Sequence, residues 1–141
     1  MTAHTAMSDS NPPVLGQPLP PRVHRADTVQ LFLYNAAIWN PHRIHYDLPY
    51  TQAHEGHPAL LIDGPLQGDW LLQAVYARLD SHGGELLFFR FSNRRAAYVG
   101  ETLRVEGEVS AVDDSVVTYA LRAVNGQGQV TTTGEARVRY A

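Results

Sequence analysis

The sequence predicts an α+β domain in which an antiparallel β-sheet wraps around one long apolar helix. Residues 65–79 carry few charges and repeat apolar side chains at helical spacing, which is typical of a helix buried on more than one side. After Gly83 and Gly84, four stretches rich in Val, Thr, Tyr and Phe alternate with period two. That alternation predicts strands with one buried and one exposed face.

The amino-acid composition argues against several classes of function. The chain has 141 residues, of which 44% are hydrophobic, and this suits a single domain with a single core. The net charge of -3 and the scattered basic residues give no footprint for nucleic acid. All 11 basic residues are Arg, so Schiff-base lysine chemistry is excluded. The chain has no Cys, which excludes disulfides and thiol nucleophiles.

The first residues predict an arm ahead of the domain. Residues 1–22 contain five Pro among Ser and Asn, a composition that opposes both helix and sheet. We expect residues 1–22 to form a flexible or extended Pro-rich arm and residues 23–141 to form the domain. Neither a signal-like segment nor about 18 consecutive apolar residues occurs. We therefore expect a cytoplasmic protein without membrane contact.

The elements follow in order. Asp27 or Thr28 can cap a helix that runs to Trp39, because Pro41 ends it. Residues 46–58 are turn-rich and suit a short helical turn, and residues 59–62 resemble a strand. The helix at 65–79 follows, and an antiparallel meander is predicted over 85–93, 101–112, 115–124 and 128–140. We expect Phe32, Trp39 and Trp70 to be core aromatics.

Residues 38–47 concentrate the side chains suited to chemistry. They hold Asn40, His42, Arg43, His45 and Asp47, and His titrates closer to neutrality than any other side chain. A positioned imidazole can therefore exchange protons during catalysis. The alternatives are that His45 is a core or surface histidine and that Asn40 is a turn or cap residue.

A metal site is the other chemistry that His residues suggest. His42, His45, His54 and His57 are spaced by threes, and imidazole is a good zinc ligand. No Cys assists them, and the nearby acids are ordinary loop residues. We expect no metal.

The motif from Asn40 to Asp47, with the Gly-Pro-Leu-Gln run at 64–67, resembles the MaoC-like hydratase/dehydratase family. It is most similar to the subgroup of mesaconyl-CoA and itaconyl-CoA hydratases and mitochondrial-type 3-hydroxyacyl-thioester dehydratases. The resemblance covers about residues 23–140. It implies a single hotdog fold and reversible hydration of a 2-enoyl thioester, or the reverse dehydration of a 3-hydroxyacyl thioester.

The resemblance also implies roles for individual residues. His45 would be the base. Asn40, at the position where the family signature usually has Asp, would orient the water, since an amide is not a base. The N–H of Gly64 would stabilise negative charge on the thioester oxygen.

A second group of residues would bind substrate. Arg43 could clamp a substrate carboxylate, as a dicarboxylic acyl group such as mesaconyl would require. Arg90 and Arg94 would bind the phosphates of the thioester carrier, and Asp63 and Asn93 would complete the site. Coenzyme A or phosphopantetheine would be part of the substrate, and no separate cofactor is expected. An alternative role for Phe32, Trp39 and Trp70 is to line an acyl tunnel.

The sequence leaves two alternative functions open and also predicts how the chain assembles. An acyl-CoA thioesterase of the same fold would need a carboxylate on the long helix, where Asp69 is the candidate. A non-catalytic subunit that binds acyl thioesters would fit the Asn at position 40. The chain has room for one hotdog unit, so we expect either a homodimer or higher homo-oligomer, or pairing with a separately encoded second unit. The expected substrate is an acyl-CoA or an acyl group on acyl carrier protein.

Overall fold

A computed structural model describes residues 12–140 of the chain. The helices lie close to their predicted positions, and each begins and ends at a residue suited to the role. Asp27 caps the first helix by accepting a hydrogen bond from Gln30 N. Trp39 ends that helix in the left-handed conformation. The elements are β1 (Arg22–His24), α1 (Thr28–Ile38), a 3-10 turn (Arg43–His45), α2 (Leu48–His54), α3 (Gly64–His82), β2 (Glu85–Asn93), β3 (Leu103–Asp113), β4 (Val116–Val124) and β5 (Val130–Arg139).

The sheet has the order β1-β3-β4-β5-β2, and every pairing is antiparallel. The predicted meander is therefore correct for β3 to β5 and wrong for β2, which pairs with β5 at the far edge. Period-two alternation identifies a strand and its buried face, but it does not identify the neighbouring strand. The short β1 was not predicted, and the expected strand at 59–62 is a single bridge between Leu61 and Tyr98.

Helix α3 fills the concave face of the sheet. Trp70, Leu71 and Val75 are buried at the helix–sheet contact, together with the inward residues of β4 that the alternation predicted. Helix and sheet approach closely at Gly134 of β5, where a Cβ atom would lie 2.9 Å from Leu71 Cδ1. A long central helix enclosed by an antiparallel sheet confirms the predicted fold class.

The second half of the predicted arm is fixed to the sheet. Gly16 N donates to Val109 O and Leu19 N donates to Gly107 O, both at 2.8 Å, and the Leu19 side chain is buried. The segment contains a turn at Leu15 and Gly16, and its backbone hydrogen bonds bind it along β3. Residues 1–11 lie outside the described part of the chain, so the boundary at residue 22 stays a prediction.

Two of the three predicted core aromatics are exposed. Trp70 is 2% exposed, as expected, but Trp39 is 89% and Phe32 is 64% exposed. The reason is that α1 buries only Leu31 and Asn35, so its remaining face is turned away from the core. Within residues 12–140, no helix is long and apolar enough to cross a membrane.

Candidate active site

The 3-10 turn places His45 against the segment that leads into α3. His45 is 8% exposed, and its Nδ1 lies 2.8 Å from the backbone oxygen of Leu61. A carbonyl oxygen only accepts hydrogen bonds, so Nδ1 carries the hydrogen and Nε2 of the neutral ring keeps its lone pair. Nε2 has no hydrogen-bond partner among the interactions of residues 12–140. The buried ring is thus held in the tautomer that a general base requires.

Asp63 is the charged neighbour of this ring. Its Oδ2 lies 3.1 Å from His45 Nδ1, and its side chain is fully buried. Asn35, from α1, donates through Nδ2 to both carboxylate oxygens, at 2.8 and 3.0 Å. The same Nδ2 donates to Leu31 O at 2.7 Å. Because all these partners are acceptors, they fix the orientation of the Asn35 amide.

Burial raises the pKa of the Asp63 carboxyl above its usual value, while the nearby His45 and the Asn35 hydrogen bond act in the opposite direction. A buried carboxylate is costly unless donors surround it. Asn35 of α1 donates to both carboxylate oxygens of Asp63, and the His45 ring of the 3-10 turn lies 3.1 Å from Oδ2. These contacts offset part of the cost of a charged carboxylate next to the imidazole.

Gly64 begins α3 directly after Asp63. The N–H groups of the first helical turn have no acceptor within the helix and lie at the positive end of its dipole. Asp63, the N-cap residue, makes no side-chain cap bond to them. The side chain of Asn93 lies where a Cβ at position 64 would be. The structure therefore brings the predicted residues His45, Asp63, Gly64 and Asn93 together.

A buried polar network supports Asn93 from the sheet side. Thr132 Oγ1 lies 2.9 Å from Gln67 Oε1 and 3.2 Å from Asn93 Oδ1. Thr132 and Gln67 are buried. This network ties the end of β2 to β5 and to the first turn of α3.

Asn40 forms the turn that was one of its two predicted roles. Its Oδ1 accepts a hydrogen bond from His42 N at 3.1 Å, and its backbone N donates to Asn35 O at 2.9 Å. Asn40 also lines a pocket of about 320 Å³ whose walls are mostly apolar. Its role in orienting water stays a prediction. The other lining residues are Phe32, Asn35, Ala36, Trp39, Pro41 and Tyr46.

Arg43 is engaged with its own turn. Its guanidinium is ion-paired with Asp47 at 2.6 Å and lies 4.1 Å from the centre of the Tyr50 ring. The hydrogen bond from Arg43 lowers the pKa of the Asp47 carboxyl, and the bond from Tyr50 N adds to this effect. Arg43 would have to leave Asp47 to clamp a substrate carboxylate.

Arg90 and Arg94 line a polar pocket of about 290 Å³ beside β2 and β5. Arg90 pairs with Glu135 at 3.0 Å, and Arg94 Nε donates to Thr133 Oγ1 at 3.2 Å. Their predicted phosphate contacts are not tested by this geometry. Among residues 12–140, no group of three or more acidic or His side chains is placed to hold a metal ion.

Sequence reasoning missed Asn35 and the contact between Asp63 and His45. Asn35 lies within α1, five residues before the motif, and looked like an ordinary helical residue. Asp63 was placed in the site only as a substrate-binding residue. The one signal in the sequence was the spacing of Asn35, four residues after Leu31, which puts the two on the same face of the helix; the structure shows that this face is the buried one.

The fold and the motif together define a MaoC-like hotdog protein. An R-hydratase from Pseudomonas aeruginosa matches with a TM-score of 0.80 and 23% identity over 90% of this chain and 81% of that one. The (R)-hydratase from A. caviae involved in PHA biosynthesis matches with a TM-score of 0.80 and 21% identity, over 91% and 97%. At these identities the likeness concerns the fold.

Residues 3–99 match the family model of hydroxyacyl-thioester dehydratase type 2, and the chain belongs to this family. It is 49% identical over 43 residues to the mesaconyl-C(4)-CoA hydratase of Chloroflexus aurantiacus, covering 30% of this chain and 15% of that protein. It is 29% identical over 80 residues to the mitochondrial hydroxyacyl-thioester dehydratase type 2 of Schizosaccharomyces pombe, covering 55% and 26%. The matched regions thus span only 15% and 26% of the length of these two relatives.

Proposed function

We propose that this protein reversibly hydrates a 2-enoyl thioester to the 3-hydroxyacyl thioester. The observation that carries the proposal is the buried His45, whose Nδ1–H is bound to Leu61 O and whose Nδ1 lies 3.1 Å from Asp63, the residue before α3. Membership of a hydratase/dehydratase family supports the reaction class. The particular substrate and the activity of this chain are the proposal.

In the forward direction, His45 Nε2 takes a proton from water while the water oxygen bonds to C3 of the enoyl group. The electron pair of the C2–C3 double bond moves towards the thioester, and the oxygen becomes negative. The N–H of Gly64 at the positive end of α3 stabilises that oxygen. The imidazolium then returns the proton to C2, so that the product gains one water and the enzyme is unchanged.

The acyl group proposed for this chain is apolar. The pocket at Asn40 is open, is walled by Phe32, Trp39 and Tyr46, and lies next to Asn35, which contacts Asp63. A carboxylate there would lose hydration without gaining a partner. The pairing of Arg43 with Asp47 also argues against a dicarboxylic acyl group such as mesaconyl.

The thioester carrier would lie along Arg90 and Arg94. Their pocket is mainly polar and offers two guanidinium groups that can form forked bonds to phosphate. Such binding would compete with Glu135 for Arg90. Both coenzyme A and the phosphopantetheine of a carrier protein carry phosphate that could bind there.

A second copy of the chain is the proposed partner. Strand β2 is at the edge of the sheet, and it exposes Leu87, Phe88 and Phe91. An apolar edge strand is a ready site for pairing with another strand. Pairing through β2 would continue the sheet into a homodimer.

The test is the loss of enoyl absorbance when the protein is mixed with crotonyl-CoA. The His45→Ala variant is expected to lose about 10²- to 10⁴-fold in kcat, the usual contribution of a general base. His54→Ala is the matched control, because His54 is exposed and its ring contact is a tilted one with Tyr50, away from His45. Full hydration by His45→Ala would refute the proposed base.

The same assay separates the alternatives. Release of free thiol in step with the loss of enoyl absorbance would favour a thioesterase, for which Asp69 is the candidate, because hydration leaves the thioester intact and releases no thiol. Asp69 is exposed on α3 and accepts a hydrogen bond from Tyr34 at 3.1 Å. Binding of crotonyl-CoA without either reaction would favour a non-catalytic subunit.

A further inference from the structure

Three Asp residues stand at helix N-caps in the described chain, and one of them does not cap. Asp27 accepts from Gln30 N and Asp47 accepts from Tyr50 N, whereas Asp63 makes no such bond to α3. A capping bond stabilises a helix by about 0.5–2 kcal/mol. Asp63 forgoes this gain because its carboxylate is turned away from the helix.

The carboxylate is turned towards the catalytic ring and is held there. Asn35 Nδ2 contacts both oxygens at 2.8 and 3.0 Å. Oδ2 lies 3.1 Å from His45 Nδ1. Asn35 is itself anchored through its bond to Leu31 O, so the carboxylate is positioned from α1 and presented to the 3-10 turn.

We propose that Asp63 is the counter-ion of the His45 imidazolium during hydration, and that Asn35 is the residue that positions this carboxylate. The inference deepens the proposed hydratase function and rests on it. Asp63 and Asn35 act through His45 and are positioning residues. Together they would place a negative charge on the Nδ1 side of the His45 ring, whereas the family signature usually has its Asp at position 40.

The surroundings leave His45 as the main charge partner of Asp63. In the described chain, the salt-bridge contacts of Asp63 include His45 and no Arg. The other titratable groups nearby are Tyr34 on α1, which is bonded to Asp69 of α3, and His42, whose ring centre lies 5.9 Å from that of His45. Burial raises the pKa of Tyr34, with the Asp69 hydrogen bond adding to the effect, so Tyr34 stays neutral.

The charge balance follows the proton. Before reaction, the neutral ring donates from Nδ1 mainly to Leu61 O, the closer acceptor. When Nε2 takes the proton from water, the ring becomes cationic and the nearby carboxylate stabilises it. When the proton passes to C2, the ring becomes neutral again. An ionised carboxylate in a buried site has a larger effect on such a charge than one in water.

The test compares Asp63→Asn with Asp27→Asn. Each change removes one negative charge from an N-cap residue, and Asn is also a good N-cap. For Asp63→Asn we expect kcat with crotonyl-CoA to fall about 10²-fold with KM changed less than about threefold, because the charge acts on the reaction and not on binding. The acidic limb of the pH profile of kcat/KM should move to lower pH. Asp27→Asn should leave kcat and the profile unchanged.

A purely structural role for Asp63 would give a different result. Asp63→Asn would then lower the midpoint of thermal unfolding and leave kcat per folded protein and the pH profile unchanged. The proposal expects an unfolding midpoint at pH 7 that is equal to or above that of the wild type. An unchanged kcat, or a loss confined to KM, would overturn it.

Asn35→Leu is the second variant, which keeps the proposal testable if Asp63→Asn does not fold. It leaves Asp63 in place without its amide donor, so kcat of this single variant should fall with KM changed less than about threefold, and an unchanged kcat would overturn the role of Asn35. Where Asp63→Asn folds, adding it to Asn35→Leu should cost less than it does in the wild type. Residues that act through one contact give such non-additive effects. Additive losses in the double variant would overturn the role of Asn35.

An NMR titration separates failure of this inference from failure of the proposed function. The ring nitrogens of His45 can be followed in wild type and Asp63→Asn without any substrate. The midpoint in the variant should be lower by about one pH unit or more, the usual effect of removing an adjacent opposite charge. A lower midpoint without hydratase activity would refute the reaction and retain the pairing. An unchanged midpoint would overturn the pairing even if the protein is a hydratase.

Discussion

Filling the apolar pocket should change which acyl chains the protein accepts. Ala36 lines this pocket of about 320 Å³, whereas its neighbour Ala37 does not. Both residues are exposed on α1. Ala36→Phe therefore places a phenyl ring in the pocket, and Ala37→Phe adds the same group to the same helix outside it.

The expected magnitude follows from burial of methylene groups. Each methylene transferred from water contributes about 0.8 kcal/mol, which is about a fourfold increase in kcat/KM when it is realised in the transition state. The four additional methylenes of octenoyl-CoA over crotonyl-CoA would give at most about a 200-fold preference on the same basis. The pocket is at the small end of the range for ligand sites, so the preference should level off with longer chains.

The assay measures kcat/KM by loss of enoyl absorbance for crotonyl-, hexenoyl- and octenoyl-CoA. In Ala36→Phe the octenoyl-to-crotonyl ratio should fall by about tenfold or more, with the crotonyl value changed less than about threefold. Ala37→Phe should keep the wild-type ratio. A flat chain-length profile in the wild type, or a clear preference for mesaconyl-CoA, would refute the assignment of this pocket to an apolar acyl group.

Three further predictions concern stability. Burial lowers the pKa of His24, and Arg22 adds to the effect, so the free energy of unfolding should fall as the pH drops below about 6.5. The variant His24→Phe can keep the stack on Trp70. Urea titrations should show that this variant loses less stability at low pH than the wild type. Leu71→Ala should lower the free energy of unfolding by about 2–5 kcal/mol in urea titrations, since Leu71 is fully buried. Gly68→Ala should cost about 1–3 kcal/mol in the same measurement, because its Cβ would lie 2.8 Å from the Phe91 ring; an equal or higher midpoint would contradict this packing.

The sequence was informative about the strands because one face of each must be buried. Val117, Tyr119, Leu121 and Ala123 are all 3% exposed or less, as their alternation predicts. The same pattern could not predict that β2 pairs with β5, because alternation is unchanged by the choice of neighbour. That choice depends on where α3 returns the chain relative to the sheet, which is a property of the whole fold.

Exposure of Trp39 had a different cause. An aromatic residue at the end of an apolar helix is more often buried, and the composition of α1 offered no contrary signal. The helix instead ends at Trp39 in the left-handed conformation, which leaves the indole ring at the wall of the open pocket. Sequence patterns describe the faces of a helix, and they do not describe a side chain that lies just beyond its last turn.

In the candidate site, Asp63 does not cap its helix and instead contacts side chains that are distant in the sequence. An Asp before a helix predicts a cap, and Asp27 and Asp47 obey this rule. Asp63 departs from it because Asn35, 28 residues away along the chain, donates to its carboxylate, and the ring of His45, 18 residues away, lies 3.1 Å from it. Departures from local preference are expected where function requires them. The proposed kinetic and NMR tests therefore address the residue at which sequence reasoning and structure differ most.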